Sequence, residues 1–429
     1  MLHGGLYVVL ATCVALVAAR ESPHADYVRE LFQSIEWRHS DNVFEDGLLD
    51  VPDLIRKYRY PVEVHHVTTK DGYILEMHRI PHGRDANNDP NKKRPVVFLM
   101  HGMVSSSADL VIMGPGSALG YILAEEGFDV WMGNARGNYY SRRHVTLNPD
   151  VGTAFWKFSW DEIGNIDLPT MIDYALEVSG EERLHYIGHS QGTTSFFVLG
   201  SLQPAYNAKF ISMHALAPSA YFEHIGSPYL KLVARYINHI ERLVYLVGIA
   251  EFFPNSEALT WAGQNLCHDE AVFQPMCSNI VFLIGGWNED QHNATMMPAI
   301  LGHSPAGAAA RQFVHYGQGI ASNEFRRYDY GNALANLRAY GSTRPPNYDL
   351  SKITAPVFLH YSASDPVAHV DDVDRLYREL GNPKGKLLIP MSTFSHLDFI
   401  YAIDAKELLY DRVIDIMKTM DDNYFNDHV

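Results

Sequence analysis

Cysteine is scarce in this chain, with three among 429 residues. A disulfide-knit scaffold and a cysteine-rich metal module are both excluded by that number. Although histidines number 22, no His-Glu-x-x-His and no paired Cys-x-x-Cys occurs, so a metal hydrolase finds no motif. His65 and His66 sit on alternate faces of a predicted strand and suit a shared ion badly. Positive charge is also short: 34 Lys and Arg stand against 50 Asp and Glu, a formal net charge of −16. Phosphate backbones need a basic surface, so no nucleic-acid partner is expected. Nor does any stretch after the first residues reach 18 uninterrupted apolar positions, and no transmembrane segment is expected.

The apolar run that does exist, Leu6 to Ala19, is 14 residues long. That is too short to span a bilayer but suits the apolar region of a secretory signal, with Val17-Ala18-Ala19 as the small-residue cleavage site. Residues 1–19 are therefore read as a signal peptide and residues 20–50 as a loose, polar N-terminal extension. Removing the signal takes Cys13 with it and leaves Cys267 and Cys277. In an oxidising compartment these two either pair across a small loop or stand as two buried free thiols. Asn293-Ala294-Thr295 is a glycosylation acceptor, which requires a surface position. The expected location is the secretory pathway, either secreted or lysosomal.

From residue 51 onward short apolar runs alternate with helical stretches. His65 to Ile80 reads as a hairpin turning at Lys70-Asp71-Gly72. Arg94 to Gly102, Phe128 to Asn134, Leu184 to Gly188, Phe210 to Pro218, Ala355 to Tyr361 and Lys386 to Pro390 read as further strands. Such runs are what a mostly parallel sheet covered on both faces produces, so the fold class is α/β. The rhythm breaks between about Ser219 and Asp349. There Leu232 to Gly248 carries apolar residues at helical spacing (233, 236, 240, 243, 244 and 247). Residues 51–218 and 350–429 are accordingly assigned to one core and residues 219–349 to an inserted, mainly helical cap.

One strand end carries chemistry. Leu184 to Phe197, LHYIGHSQGTTSFF, runs from a strand through Gly-x-Ser-x-Gly into a helix. This is the context of a nucleophile elbow, in which a serine is held on a strained turn and the next residue donates its N–H to an oxyanion. Gly302-His303-Ser304-Pro305 repeats the Gly-His-Ser start, but Pro305 has no N–H and no apolar strand precedes it. Ser190 is thus the candidate nucleophile and Gln191 a candidate oxyanion donor. An activated serine needs a base and an orienting acid, which in this architecture follow in the order acid, then histidine, past C-terminal strands. Asp365 follows Ala355 to Tyr361 and His396 follows Lys386 to Pro390. Asp371, Asp372 and Asp398 compete for the acid, and His360 and His369 for the base. Asp371 and Asp372 read as the solvated start of a helix, His360 as a satisfied core histidine, and Asp398 as the serious rival through its nearness to His396. The second oxyanion donor is sought in the loop His101-Gly102-Met103-Val104, at the N–H of Met103; as an alternative, Met103 lines the substrate pocket.

With these residues in place the chain resembles the acid lipases of the gastric and lysosomal type. The resemblance runs from about Val51 to the C-terminus. It rests on Asp71 to Pro81, His101 to Leu110, Phe128 to His144, Phe155 to Tyr174, Leu184 to Thr194 and Ser395 to Ala405. It implies an α/β-hydrolase core under a mobile cap, no cofactor and no metal. It also implies hydrolysis of triacylglycerols or cholesteryl esters at a lipid–water interface, with a short-chain carboxylesterase or a non-catalytic lipid-binding homologue as alternatives. Carried over by residue, it implies Ser190 as nucleophile, Asp365 as acid, His396 as base, and Met103 and Gln191 as oxyanion donors. It further implies a Cys267–Cys277 disulfide and a glycan at Asn293. The chain departs from that pattern at its Met-Val-Ser-Ser-Ser loop after His101-Gly102, at its acid loop, and where a further cysteine is replaced around Gly285 or Gly286.

Overall fold

Four strands in the middle of the chain are buried at every residue: β3 (Val96–Met100), β4 (Asp129–Gly133), β6 (Leu184–His189) and β7 (Phe210–Leu216). Continuous burial means that both faces of the sheet are covered, which is why these strands read as unbroken apolar runs. The computed structural model that defines them describes residues 41–225, 228–255, 286, 288 and 290–421. The predicted signal peptide and both Cys267 and Cys277 lie outside the described residues.

The sheet runs β1 (Glu63–Thr68), β2 (Tyr73–Ile80), β4, β3, β6, β7, β10 (Val357–Tyr361) and β11 (Pro383–Leu388), with β5 (Arg143–His144) paired to β2. The β1–β2 and β2–β4 pairs are antiparallel, and every pair from β4 to β11 is parallel. The outer strand β1 alternates half-buried and exposed residues, as an antiparallel edge with one solvated face should. Gly72 takes a φ of +97° in the hairpin turn, a conformation that strains any residue with a Cβ. Helices bridge the parallel strands: α1 (Leu119–Glu125) before β4, α2 (Leu168–Ser179) before β6, α3 (Gln191–Leu202) between β6 and β7, and α7 (Val370–Glu379) between β10 and β11. This is the α/β-hydrolase arrangement.

Between β7 and β10 the described residues add no strand to this sheet. They form α4 (Pro228–Arg235), α5 (Ile237–Leu246) and α6 (Ala310–Ser322), among other helices, and a separate two-stranded pair, β8 (Glu251–Phe252) with β9 (Ala308–Ala309). The single helical period expected over residues 232–248 is two helices, because Tyr236 breaks it at φ −110° and ψ 9°. The N-terminal side also differs from expectation. Residues 41–46, read as loose extension, form a helix whose Asp46 is 1% exposed and accepts hydrogen bonds from Lys57 and Tyr58. A polar sequence hid this packing because the buried carboxylate is satisfied by partners 11 and 12 residues away. Asn293 is half-buried at the start of a short turn, Ala294–Met296, with Thr295 exposed.

A buried cation ties the first hairpin to the core. Arg136 is 1% exposed and donates from Nε to Asp167 at 2.7 Å and from its terminal nitrogens to Asp71 at 2.6 and 3.0 Å. Its guanidinium lies 3.9 Å from the centroid of the Tyr73 ring. Asp167 is fully buried beside it: burial pushes its carboxyl up, and Arg136 opposes this with two guanidinium nitrogens on Oδ1 and its backbone N–H on Oδ2. Removing one partner of such a pair leaves an uncompensated charge. Arg136→Leu is expected to lower stability by about 3–5 kcal/mol, read as a fall in the thermal unfolding midpoint. Adding Asp167→Leu to that variant should restore a large part of the loss; no recovery would show that packing of the arginine stem dominates instead.

Candidate active site

The turn after β6 places Ser190 at φ +50° and ψ −116°, a backbone conformation that side chains rarely adopt. Its surroundings impose it. A Cβ on Gly192 would stand 2.3 Å from the Met100 carbonyl oxygen, and one on Gly188 would stand 2.7 Å from the Gly192 backbone. Both glycines are therefore required where β6, β3 and α3 converge. The Ser190 N–H donates to Leu216 O at 3.0 Å, while Ser190 O accepts from the Thr193 N–H and hydroxyl at 2.9 and 2.6 Å.

Past the ends of β10 and β11 lie the two groups that meet this serine. His396 Nε2 is 2.8 Å from Ser190 Oγ, and His396 Nδ1 is 2.8 Å from Asp365 Oδ2. Because the carboxylate can only accept, Nδ1 carries the proton and Nε2 is left to accept from the serine hydroxyl. Asp365 Oδ1 accepts the N–H groups of Val367 and Ala368, each at 2.8 Å. Burial works to raise the pKa of this carboxyl, but His396 and the two backbone donors outweigh it and hold it below the usual carboxylate range.

The rivals fall elsewhere. Asp398 accepts from the Ser395 N–H at 2.6 Å and from Asn288 at 2.9 Å, which orients the loop before His396 and not its ring. His360 lies in β10, 1% exposed, 3.1 Å from His214 in β7. Asp371 is exposed at the start of α7, as expected, but Asp372 is buried and accepts from His224. Among the described residues one group has metal-ligand spacing, His224, His369 and Asp371, and it shares no member with the Ser190–His396–Asp365 chain.

The loop after β3 closes on the serine. A Cβ on Gly102 would come 3.4 Å from Ser190 Cβ, and the next residues, Met103 and Val104, are half-buried. Val104 takes φ +56°, a genuine outlier for a β-branched residue, and its carbonyl accepts from the Ala306 N–H at 2.6 Å. Neither the Met103 N–H nor the Gln191 N–H donates to another group among the described residues. Gln191 is buried, and its side chain donates to Gln312 of α6 at 2.7 Å.

Two histidines support the site that pattern reading did not single out. His101 Nε2 accepts from the Ala135 N–H at 3.1 Å, leaving Nδ1–H to donate to Gly102 O at 2.7 Å. Burial pushes its pKa down to about 4. His189 donates from Nε2 to the backbone carbonyl of His396 at 3.0 Å, so it fixes the position of the base without touching the serine. Their only sequence signal is that they precede the glycine and the serine of the two motifs.

Burial, with the nearby His396, pushes His189 down to about 3 from an ordinary value of 6.5. The unfolded chain thus takes up a proton below pH 6.5 that the folded chain refuses. The stability this neutral imidazole confers is present above pH 6.5 and is lost as pH falls toward 3. His189→Gln should flatten that dependence. Between pH 6.5 and 4 the wild type should lose on the order of 3 kcal/mol more than the variant, measured by denaturant unfolding across that range. Parallel curves for the two proteins would contradict the assignment.

Comparison with known proteins agrees with this architecture. Residues 51–114 match the family described as a partial alpha/beta-hydrolase lipase region, and residues 95–402 match that of the alpha/beta hydrolase fold. The chain is 46% identical to Lipase 1 of Drosophila melanogaster over 379 residues, covering 88% of this chain and 81% of the relative. It is 36% identical to gastric triacylglycerol lipase of Rattus norvegicus, covering 86% of this chain and 91% of the relative. Identity to human lysosomal acid lipase/cholesteryl ester hydrolase is 37%, with the same coverages. The chain belongs to the α/β-hydrolase lipase family.

Proposed function

We propose that Ser190, His396 and Asp365 hydrolyse the ester bonds of neutral lipids, triacylglycerols or cholesteryl esters, through an acyl-enzyme. Family membership makes the chain a carboxylic ester hydrolase. The observation that carries the residue assignment is the continuous chain of hydrogen bonds from Asp365 through His396 to Ser190, 2.8 Å at each step. His396 Nε2 takes the Ser190 proton as Oγ bonds to the ester carbonyl carbon. The resulting oxyanion is received by the free N–H groups of Met103 and Gln191, a type of contact worth about 3–4 kcal/mol per donor. His396 then gives the proton to the departing alkoxide, the ester C–O bond breaks, and the alcohol leaves. Water, deprotonated by the same imidazole, attacks the acyl-serine and releases the fatty acid. Asp365 keeps the imidazole oriented and stabilises its charged form throughout.

The segment 219–349 is proposed as a cap over this site that meets the lipid surface. On α4, α5 and the residues that follow, Leu232, Tyr236, Leu243, Leu246 and Val247 are exposed, Leu246 at 81%. Both helices pack on α6, and α6 carries Gln312, which grips Gln191 beside the serine. A lipid surface covering these apolar residues would remove that area from water. No helix among the described residues is long and apolar enough to cross a membrane, so peripheral contact is the mode proposed. Secretion or delivery to lysosomes is the location proposed.

Ser190→Ala should lower ester hydrolysis by about six orders of magnitude with an unchanged thermal midpoint. Asp365→Asn should cost about four orders of magnitude, whereas Asp398→Asn should cost far less; the reverse ranking would reassign the acid. Substrate class is tested with triglycerides of several chain lengths, cholesteryl oleate and a short p-nitrophenyl ester at acid and neutral pH. Turnover of the short ester alone would reduce the lipase to an esterase. Leu246→Glu with Val247→Glu should cut hydrolysis of emulsified triglyceride about tenfold and spare the soluble ester. An equal loss on both substrates would remove these helices from interface binding.

A further inference from the structure

We infer that His224, His369 and Asp371 form a site for a divalent transition cation of zinc-like ligand preference, outside the Ser190 centre. Each offers one ligand atom, and the three atoms lie within 4.8 Å of one another. The two imidazole rings stack with centroids 5.4 Å apart and planes 24° from parallel. His369 Nδ1 and Asp371 Oδ2 are 3.6 Å apart. Ligand atoms about 2.0–2.1 Å from a tetrahedral zinc stand about 3.4 Å from each other, so this edge is already near its bound length. The remaining closure needs shifts of an ångström or so, which side chains 39–62% exposed can make.

A second observation concerns how the first ligand is held. Asp372, with its side chain 3% exposed, accepts both the backbone N–H of His224 at 3.0 Å and its Nδ1–H at 2.9 Å. That carboxylate fixes the tautomer and leaves the Nε2 lone pair of His224 to ligate. A carboxylate behind a metal-binding imidazole is the usual supporting contact of such sites, and it raises the basicity of the ligand. Among the described residues His369 Nδ1 accepts a hydrogen bond from the Asp371 N–H alone, at 3.3 Å, a long bond that a metal would displace. Two imidazoles and one carboxylate, with water in the fourth position, suit zinc better than calcium or magnesium. Glu223 adds negative charge beside His224, partly countered by Arg375 at 3.9 Å.

The location gives the ion a mechanical role. His224 follows β7 at the entrance to the segment that carries α4 and α5. His369 follows Val367 and Ala368, whose N–H groups hold Asp365. A bound cation would pin the root of that segment to the loop of the orienting acid.

The test is calorimetric titration of the untagged full chain with zinc chloride at pH 7.5. One site is expected, with a rise in thermal midpoint that tracks zinc concentration. His224→Ala, His369→Ala and Asp371→Asn should each weaken binding at least tenfold, and Asp372→Asn by about 10–100-fold through loss of the support to His224. Metal-free His224→Ala should hydrolyse a soluble ester as fast as metal-free wild type. Because His369 also caps α7, a lowered midpoint in His369→Ala leaves the decision to His224→Ala. Absence of binding at millimolar zinc overturns the site. So does binding unchanged in His224→Ala, which would put zinc on other histidines.

Discussion

Backbone crowding where β3, β6 and α3 meet is the constraint on which the rest of the site depends. Met100 presses on Gly192, and the Gly192–Thr193 backbone on Gly188, so closely that neither glycine can carry a Cβ. The serine between them takes the strain as positive φ. Among the described residues the first N–H of α3 is left without a partner, which is what the proposed oxyanion role requires. A cap bond from the Ser190 side chain to the Gly192 or Thr193 N–H would turn its hydroxyl away from His396. Ser190 makes no side-chain cap bond.

Around this turn the scaffold is polar and buried. Asn134 accepts from the Ser107 N–H and from Asn138, and Asn138 in turn caps a turn of helix and donates toward His101. Such a network is costly unless every member is satisfied, and when satisfied it holds one geometry. The strained Val104 sits at its rim, so the loop that offers the Met103 N–H is fixed by hydrogen bonds on both sides and not by apolar packing alone. Second donors of this kind fail through small displacements, and rigidity is what the network supplies.

The parts of this molecule that could be read in advance are those governed by local chemistry. Strands buried on both faces had to be apolar throughout, and a hairpin turn had to contain a glycine at Gly72. Proline after Ser304 removed a competing serine through a missing N–H. The order Ser190, Asp365, His396 was legible because each follows a strand end. Long-range electrostatics was not legible. Arg136 meets Asp167 and Asp71 across 31 and 65 residues, and nothing in its neighbourhood of the chain announces burial. Asp372 looked like a solvated helix start, and its partner His224 is 148 residues away. Asp398 was a rival for the opposite reason: proximity in sequence to His396 is no guide to which carboxylate faces the ring. Asp365 is 31 residues distant yet in contact.

The same burial sets how the fold meets acid. His78, His101, His185, His189, His214, His303, His315 and His360 are all held below the ordinary imidazole value, burial being the first cause in each. Each is a proton that the unfolded chain binds below pH 6.5 and the folded chain declines, so each subtracts up to about 1.4 kcal/mol per pH unit on acidification. Carboxyls pushed upward act with the opposite sign. Asp109, raised to about 6 by burial between Ser105 and Tyr401, and Asp398, raised chiefly by burial, bind protons in the folded state and offset part of the loss. Asp129, Glu162 and Asp167 are raised by burial as well, so eight imidazoles that lose stability on acidification stand against five carboxyls that offset part of the loss. Resemblance to lipases of acidic compartments therefore does not by itself make this fold acid-stable. The imidazoles that resist protonation lie in and beside the sheet, and two of them, His101 and His189, stand at the site itself.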